Sequence, residues 1–136
     1  MWQRKPISIK PEAGAVGLIL LAYGGMARQV YEWYEDLFKE LDVRIELLVP
    51  QLIYPFPLAH IERSVSKVGR LVVIEEGIGE FGWGANVVAQ LHQTGQVFKS
   101  QMVGSLPVSM PSPRLLEQSV MPDFDRVVAA AKRVLL

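Results

Sequence analysis

Between Glu75 and Gly84 the chain reads EEGIGEFGWG, which places three carboxylates, four glycines and two aromatic rings within ten residues. Gly77-Ile78-Gly79-Glu80-Phe81-Gly82 satisfies G-x-G-x-x-G after a predicted strand and before a predicted helix. That is the setting in which backbone N–H groups at a helix N-terminus cradle a pyrophosphate. The charges oppose it. Glu75, Glu76 and Glu80 would repel a diphosphate, and the acidic residue expected about 20 positions further on to hold a ribose is missing, because the next predicted strand ends Val103-Gly104-Ser105. The simpler reading is a tight strand-to-helix turn. Binding of a nucleotide or another small ligand by the Gly77–Gly84 loop stands as the alternative.

The carboxylates could also serve as an acid–base pair or a hard-cation site. Glu75 and Glu76 are adjacent near a strand end, however, so their side chains should leave on opposite faces and only one can turn toward a given site. A solvated, hydrogen-bonded or interface role is therefore expected for Glu76. His60 and His92 are the only imidazoles and lie on predicted helices without a second ligand at metal spacing. G-x-S-x-G, H-E-x-x-H and G-x-x-x-x-G-K-[ST] are all absent, so the common nucleophile, zinc and phosphate-loop devices are missing. Trp33 and Tyr34 read as core aromatics of a helix. Trp83, set among glycines, is harder to bury in one small domain and is a candidate partner anchor. The candidate interface or loop set is Glu76, Gly77, Gly79, Phe81, Gly82, Trp83 and Gly84, with no catalytic, cofactor-binding or metal residue assigned.

These residues need elements to hold them. Val16–Ala22 is nearly continuous in apolar residues, as a strand covered on both faces should be. Met26, Val30, Trp33, Tyr34, Leu37 and Leu41 recur at helical spacing. Arg44–Val49 is a second strand, and Leu58, Ile61, Val65 and Val68 form the inner stripe of a second helix closed by Gly69. Arg70–Glu76 is the third strand, and Ala85, Val87, Val88 and Leu91 mark the helix that follows. Val97–Val103 is a fourth strand, alternating enough to suit a sheet edge. The last helix begins at Asp123 and carries Phe124, Val127, Val128, Ala131, Val134 and Leu135 inward, with Lys132 and Arg133 at its negative end. Alternating strands and helices imply right-handed crossovers and a mostly parallel sheet between two helical layers, with ligands and partners meeting the carboxyl ends of the strands.

The whole-chain composition narrows the choices. At 136 residues and 50% apolar the chain has the size of one domain with a core of its own. Fourteen basic residues balance fourteen acidic ones, so no overall field favours nucleic acid or an anionic membrane. No apolar run reaches the roughly 20 residues that cross a bilayer, and there is no cysteine. A cytoplasmic setting is the default. Residues 1–15 read as a linker or leader and residues 16–136 as the domain.

The segments VGLILLAYGGM, YPFP, VGRLVVIEEG, FGWGANVVAQL and LPVSMPSPRLLEQSVMPDFDRVVAAAKRVL resemble the C-terminal domain shared by transketolases and the beta subunits of 2-oxo acid dehydrogenases. Glu75-Glu76-Gly77, then Phe81-Gly82-x-Gly84-Ala85, then Pro107, Pro111, Pro113-x-Leu115, Glu117 and Pro122 are similar to the pyruvate and branched-chain dehydrogenase pattern. The resemblance implies an α/β three-layer α/β/α sandwich with a mixed, mostly parallel five-stranded sheet. The residue pattern yields four strands, so the fifth is expected in a loop around Ser105–Val108. It also implies a parent enzyme that uses thiamine diphosphate and magnesium, held in other domains by a GDG motif and a later asparagine. No GDG occurs here and Asn86 is the only asparagine, so no cofactor is expected on this domain alone. The implied role is non-catalytic assembly, as a homodimer or with other subunits or domains of the parent enzyme, including an acyltransferase core. One departure is Val49-Pro50-Gln51, where relatives carry Asp-Leu-Arg, so polar contacts made there by relatives do not transfer.

Overall fold

A computed structural model describes residues 4–110 and 112–136. Five strands form one sheet: β1 (Ile7–Ile9), β2 (Leu18–Ala22), β3 (Ile45–Val49), β4 (Arg70–Ile78) and β5 (Lys99–Ser105), in the spatial order β1-β3-β2-β4-β5. β2, β3, β4 and β5 pair in parallel, and β1 runs antiparallel to β3 with Ile7 opposite Val49 and Ile9 opposite Leu47. The helices are α1 (Gly24–Leu41), α2 (Leu58–Val68), α3 (Trp83–Gln93), α4 (Arg114–Val120) and α5 (Phe124–Leu135).

β2 is the centre, and Leu18 to Ala22 are all fully buried, which is why its sequence lacks alternation. Leu18, Leu20, Val72, Ile74 and Val103 pack against Val30 and Leu37 of α1 and Val127, Ala131 and Val134 of α5. On the opposite face Ile19, Leu21, Leu71 and Val73 pack against Ile61 and Val65 of α2 and Val87 and Leu91 of α3. Both faces are thus covered, giving the three layers anticipated from the chain order. Gly69 ends α2 at φ +74° and returns its N–H to Val65 O at 2.7 Å, a left-handed turn that glycine enters without strain. Asp123 opens α5 by accepting the Arg126 N–H at 2.8 Å.

The fifth strand is not at Ser105–Val108. It is Ile7–Ile9, within the stretch that reads as a leader, and Ser105 instead ends β5. Three residues give too little alternation to register as a strand, and β1 exists because β3 offers an edge to pair with. α4 leaves no mark in the periodicity for a related reason: Leu115 and Leu116 are exposed, so this helix has no buried stripe to reveal it. Among the described residues no helix is long and apolar enough to cross a membrane.

Candidate assembly site at the carboxyl ends of the strands

Strand alternation decides where the two adjacent glutamates go. Glu75 follows Leu71 and Val73 onto the face covered by α2 and α3, whereas Glu76 follows Val72 and Ile74 toward α1. Each therefore meets the N-terminus of a different helix. Glu75 is 2% exposed. Its Oε1 accepts the Gly84 N–H at 3.0 Å and its Oε2 accepts the Trp83 N–H at 3.1 Å. The Tyr23 hydroxyl donates to Oε2 at 3.1 Å as well. A buried carboxylate without a cation is tolerated here because the positive end of α3 and a hydroxyl solvate it. Burial, followed by the charge of Glu75, its hydrogen bond and the charge of Glu76, pushes the Tyr23 phenol up to about 12.

The glycines make room for this carboxylate. A Cβ at Gly82 would stand 2.2 Å from Glu75 Oε1 and 2.7 Å from Ile78 O, and one at Gly84 would stand 2.7 Å from Val73 Cγ1. Gly77 lies within β4, and a Cβ on Gly79 would make only ordinary contact with Gly104, its nearest atom 3.6 Å away. Of the three glycines in G-x-G-x-x-G only Gly82 is thus held to glycine by close packing, together with Gly84 just beyond the motif. The same geometry weighs against the alternative of a nucleotide or other anion in the Gly77–Gly84 loop, because Glu75 already accepts the Trp83 and Gly84 N–H groups at the start of α3.

Trp83 also differs from expectation. Its indole is half-buried and packs on the α2–α3 face of the core. The ring meets Tyr23 edge-on at 4.9 Å and Phe56 at 5.8 Å, and Nε1 donates to Ile53 O at 2.9 Å. The loop after β3 folds over to bury it, a long-range contact that local composition does not show. Phe81 remains 89% exposed. In the segments that follow β3 and β5, Tyr54 is 86% and Leu115 82% exposed, with Ile53, Val108, Met110 and Leu116 about half exposed. Residue 111, one of the prolines of the pattern, lies outside the described residues.

Glu76 is exposed and stands over Gly25, where a Cβ would come within 2.9 Å of its Oε1. It borders a cavity of about 410 Å³ between α1 and α4, lined also by Met26, Trp33, Arg114, Glu117 and Met121. His60 contacts Arg63, with Nδ1 to Nη2 at 2.6 Å; slight burial, Arg63 and Lys5 hold its pKa below the usual range. His92 stacks on Phe98 at 4.2 Å. Among the described residues no His, Asp and Glu side chains gather as a group that could hold a metal ion.

The family model for the transketolase C-terminal domain matches residues 12–127. The chain belongs to that family. Similar curated proteins include the mitochondrial pyruvate dehydrogenase E1 component subunit beta-2 of Oryza sativa subsp. japonica, 29% identical over 127 residues, covering 91% of this chain and 34% of that protein. The mitochondrial pyruvate dehydrogenase E1 component subunit beta of Saccharomyces cerevisiae is 28% identical over 135 residues, covering 96% and 37%. This member of the transketolase C-terminal family therefore spans about a third of the length of the relatives it matches. Among solved structures, a split-gene transketolase described as an inactive beta4 tetramer shares the fold, with a TM-score of 0.77 and 20% identity over 95% of this chain and 42% of that one. The five-stranded mixed sheet and its helical layers are those of the transketolase C-terminal domain.

Proposed function

We propose that this chain is a non-catalytic assembly and interaction domain of a thiamine-diphosphate-dependent 2-oxo acid dehydrogenase or transketolase-like enzyme, equivalent to the C-terminal region of a beta subunit. The observation that carries this reading is the exposure of Tyr54, Phe81 and Leu115, large apolar side chains in the segments that follow the carboxyl ends of β3, β4 and β5. Side chains of that size cluster on a free surface mainly where another protein covers them. Glu75, the carboxylate set deepest at this end, is engaged by two backbone amides and a phenol, which supports a structural role for it. Thiamine diphosphate and magnesium belong, in this reading, to the companion domains or subunits. These form the partner surface, either within a homodimer or toward an acyltransferase core.

The test is activity in the assembled state. The chain, tagged and purified natively from cells that produce it, is assayed with thiamine diphosphate, magnesium and a panel of 2-oxo acids and ketose phosphates. Turnover by the purified assembly, and none by the 136-residue chain alone, is the expected result. Turnover by the isolated chain overturns the reading.

A further inference from the structure

The sheet ends on β5, whose outer edge carries no strand among the described residues. Lys99 directs its backbone N–H inward to Gly69 O at 3.0 Å, so alternation turns the amide and carbonyl groups of Ser100, Met102 and Gly104 outward. Gly104 O accepts from Arg126 Nη2 at 2.6 Å, which caps the far end of this edge. The other guanidinium nitrogen, Nη1, is buried without an acceptor among the described residues. A cavity of about 180 Å³ lies beside it, lined by Gln101, Met102, Val103, Arg126, Ala130 and Arg133. Arg126 and Arg133 line this cavity, and among the described residues neither forms a side-chain salt bridge; Arg133 Nη1 donates to the neutral Gln101 Oε1 at 3.4 Å, whereas the Lys99 ammonium is already engaged by Leu136 O.

An open ladder of backbone groups is a template for an added strand, and an orphaned guanidinium N–H on Arg126 beside Arg133, which has only a neutral amide as partner, calls for a carboxylate. We infer that β5 accepts an acidic, extended peptide segment as a sixth strand, paired to Ser100 and Met102, with a carboxylate directed at Arg126 and Arg133. A second copy of the chain fits poorly, since β5-to-β5 pairing would bring two pairs of Arg126 and Arg133 together. The inference is carried by the β5 edge and its arginines, and does not depend on the assembly reading.

Hydrogen exchange of the chain, followed by NMR, tests it with a short synthetic peptide alternating valine and glutamate. The Ser100 and Met102 amides should exchange about tenfold more slowly with this peptide, and not with its valine–lysine counterpart. Arg133→Glu should weaken binding about fivefold with an unchanged unfolding midpoint, and Arg133→Lys should restore most of it. Met102→Pro, which removes an outward N–H that β4 does not use, should abolish the protection. Equal effects of the two peptides, protection that survives Met102→Pro, or protection that appears on concentrating the chain alone would each overturn the inference.

Discussion

The Glu75 carboxylate and the Gly84 amide meet at 3.0 Å inside the mouth of the sheet, and the missing Cβ of Gly84 is what allows them to. The bond ties the end of β4 to the first turn of α3. It also fixes the chemistry of this end of the molecule, because the positive pole of α3 is answered from within the chain.

Glu75→Ala should therefore lower stability by about 2–4 kcal/mol, since it strands the N–H groups of Trp83 and Gly84 and the Tyr23 hydroxyl. Gly84→Ala should cost about 1–3 kcal/mol by overpacking, because its Cβ would lie 2.7 Å from Val73 Cγ1. Urea unfolding midpoints measure both. An unchanged midpoint for Glu75→Ala contradicts the capping account.

The same site gives the alkaline limb of stability a specific source. Tyr23 keeps its proton up to about 12 in the folded chain, against 10.0 for the free side chain. Between those two pH values the folded state holds a proton that the unfolded state has lost. Its contribution is thus fully present below pH 10 and disappears as pH rises through 12. Tyr23→Phe should flatten that decline in melting temperature between pH 9 and the alkaline limit, and parallel curves for the two proteins would refute this assignment.

Phe81 and Trp83 should separate in their effects. Phe81→Ala should leave stability within about 0.5 kcal/mol while weakening association. Trp83→Ala should cost about 2–3 kcal/mol through lost contact with Tyr23 and Phe56. Paired thermal melts and sedimentation runs decide the matter, and an unaffected melt for Trp83→Ala returns that residue to the surface.

Nucleotides should find no seat at the glycine loop. Calorimetric titration with NAD or ATP is expected to show no saturable heat, because Glu75 fills the anion position at α3. Saturable binding weakened by a bulky residue at Gly79 would show that the loop reorganises around a ligand.

How far these features can be read without coordinates depends on the range of the interaction. The buried strands, the long helices and the divergence of Glu75 from Glu76 follow from local periodicity. The role of Glu75 is within reach too, since it shares parity with Leu71 and Val73 and faces glycines at 82 and 84. Other features rest on partners distant in sequence. β1 is a strand only because β3 lies beside it, 38 residues separate Ser8 from the Glu46 it donates to, and Trp83 is covered by a loop 30 residues earlier. Spacing within a short window carries no record of such contacts.

Phe81 and Tyr54, 89% and 86% exposed in the single chain, should be covered by protein when the chain is at work. The most direct measurement is the native mass of the tagged chain purified from cells that produce it, by sedimentation equilibrium, alongside a Phe81→Glu, Tyr54→Glu variant. A stoichiometric assembly well above 15.2 kDa is expected for the unaltered chain, and release of a folded monomer by the variant. A chain that sediments at its monomer mass without the substitutions, or an assembly that the two charges leave intact, contradicts this expectation.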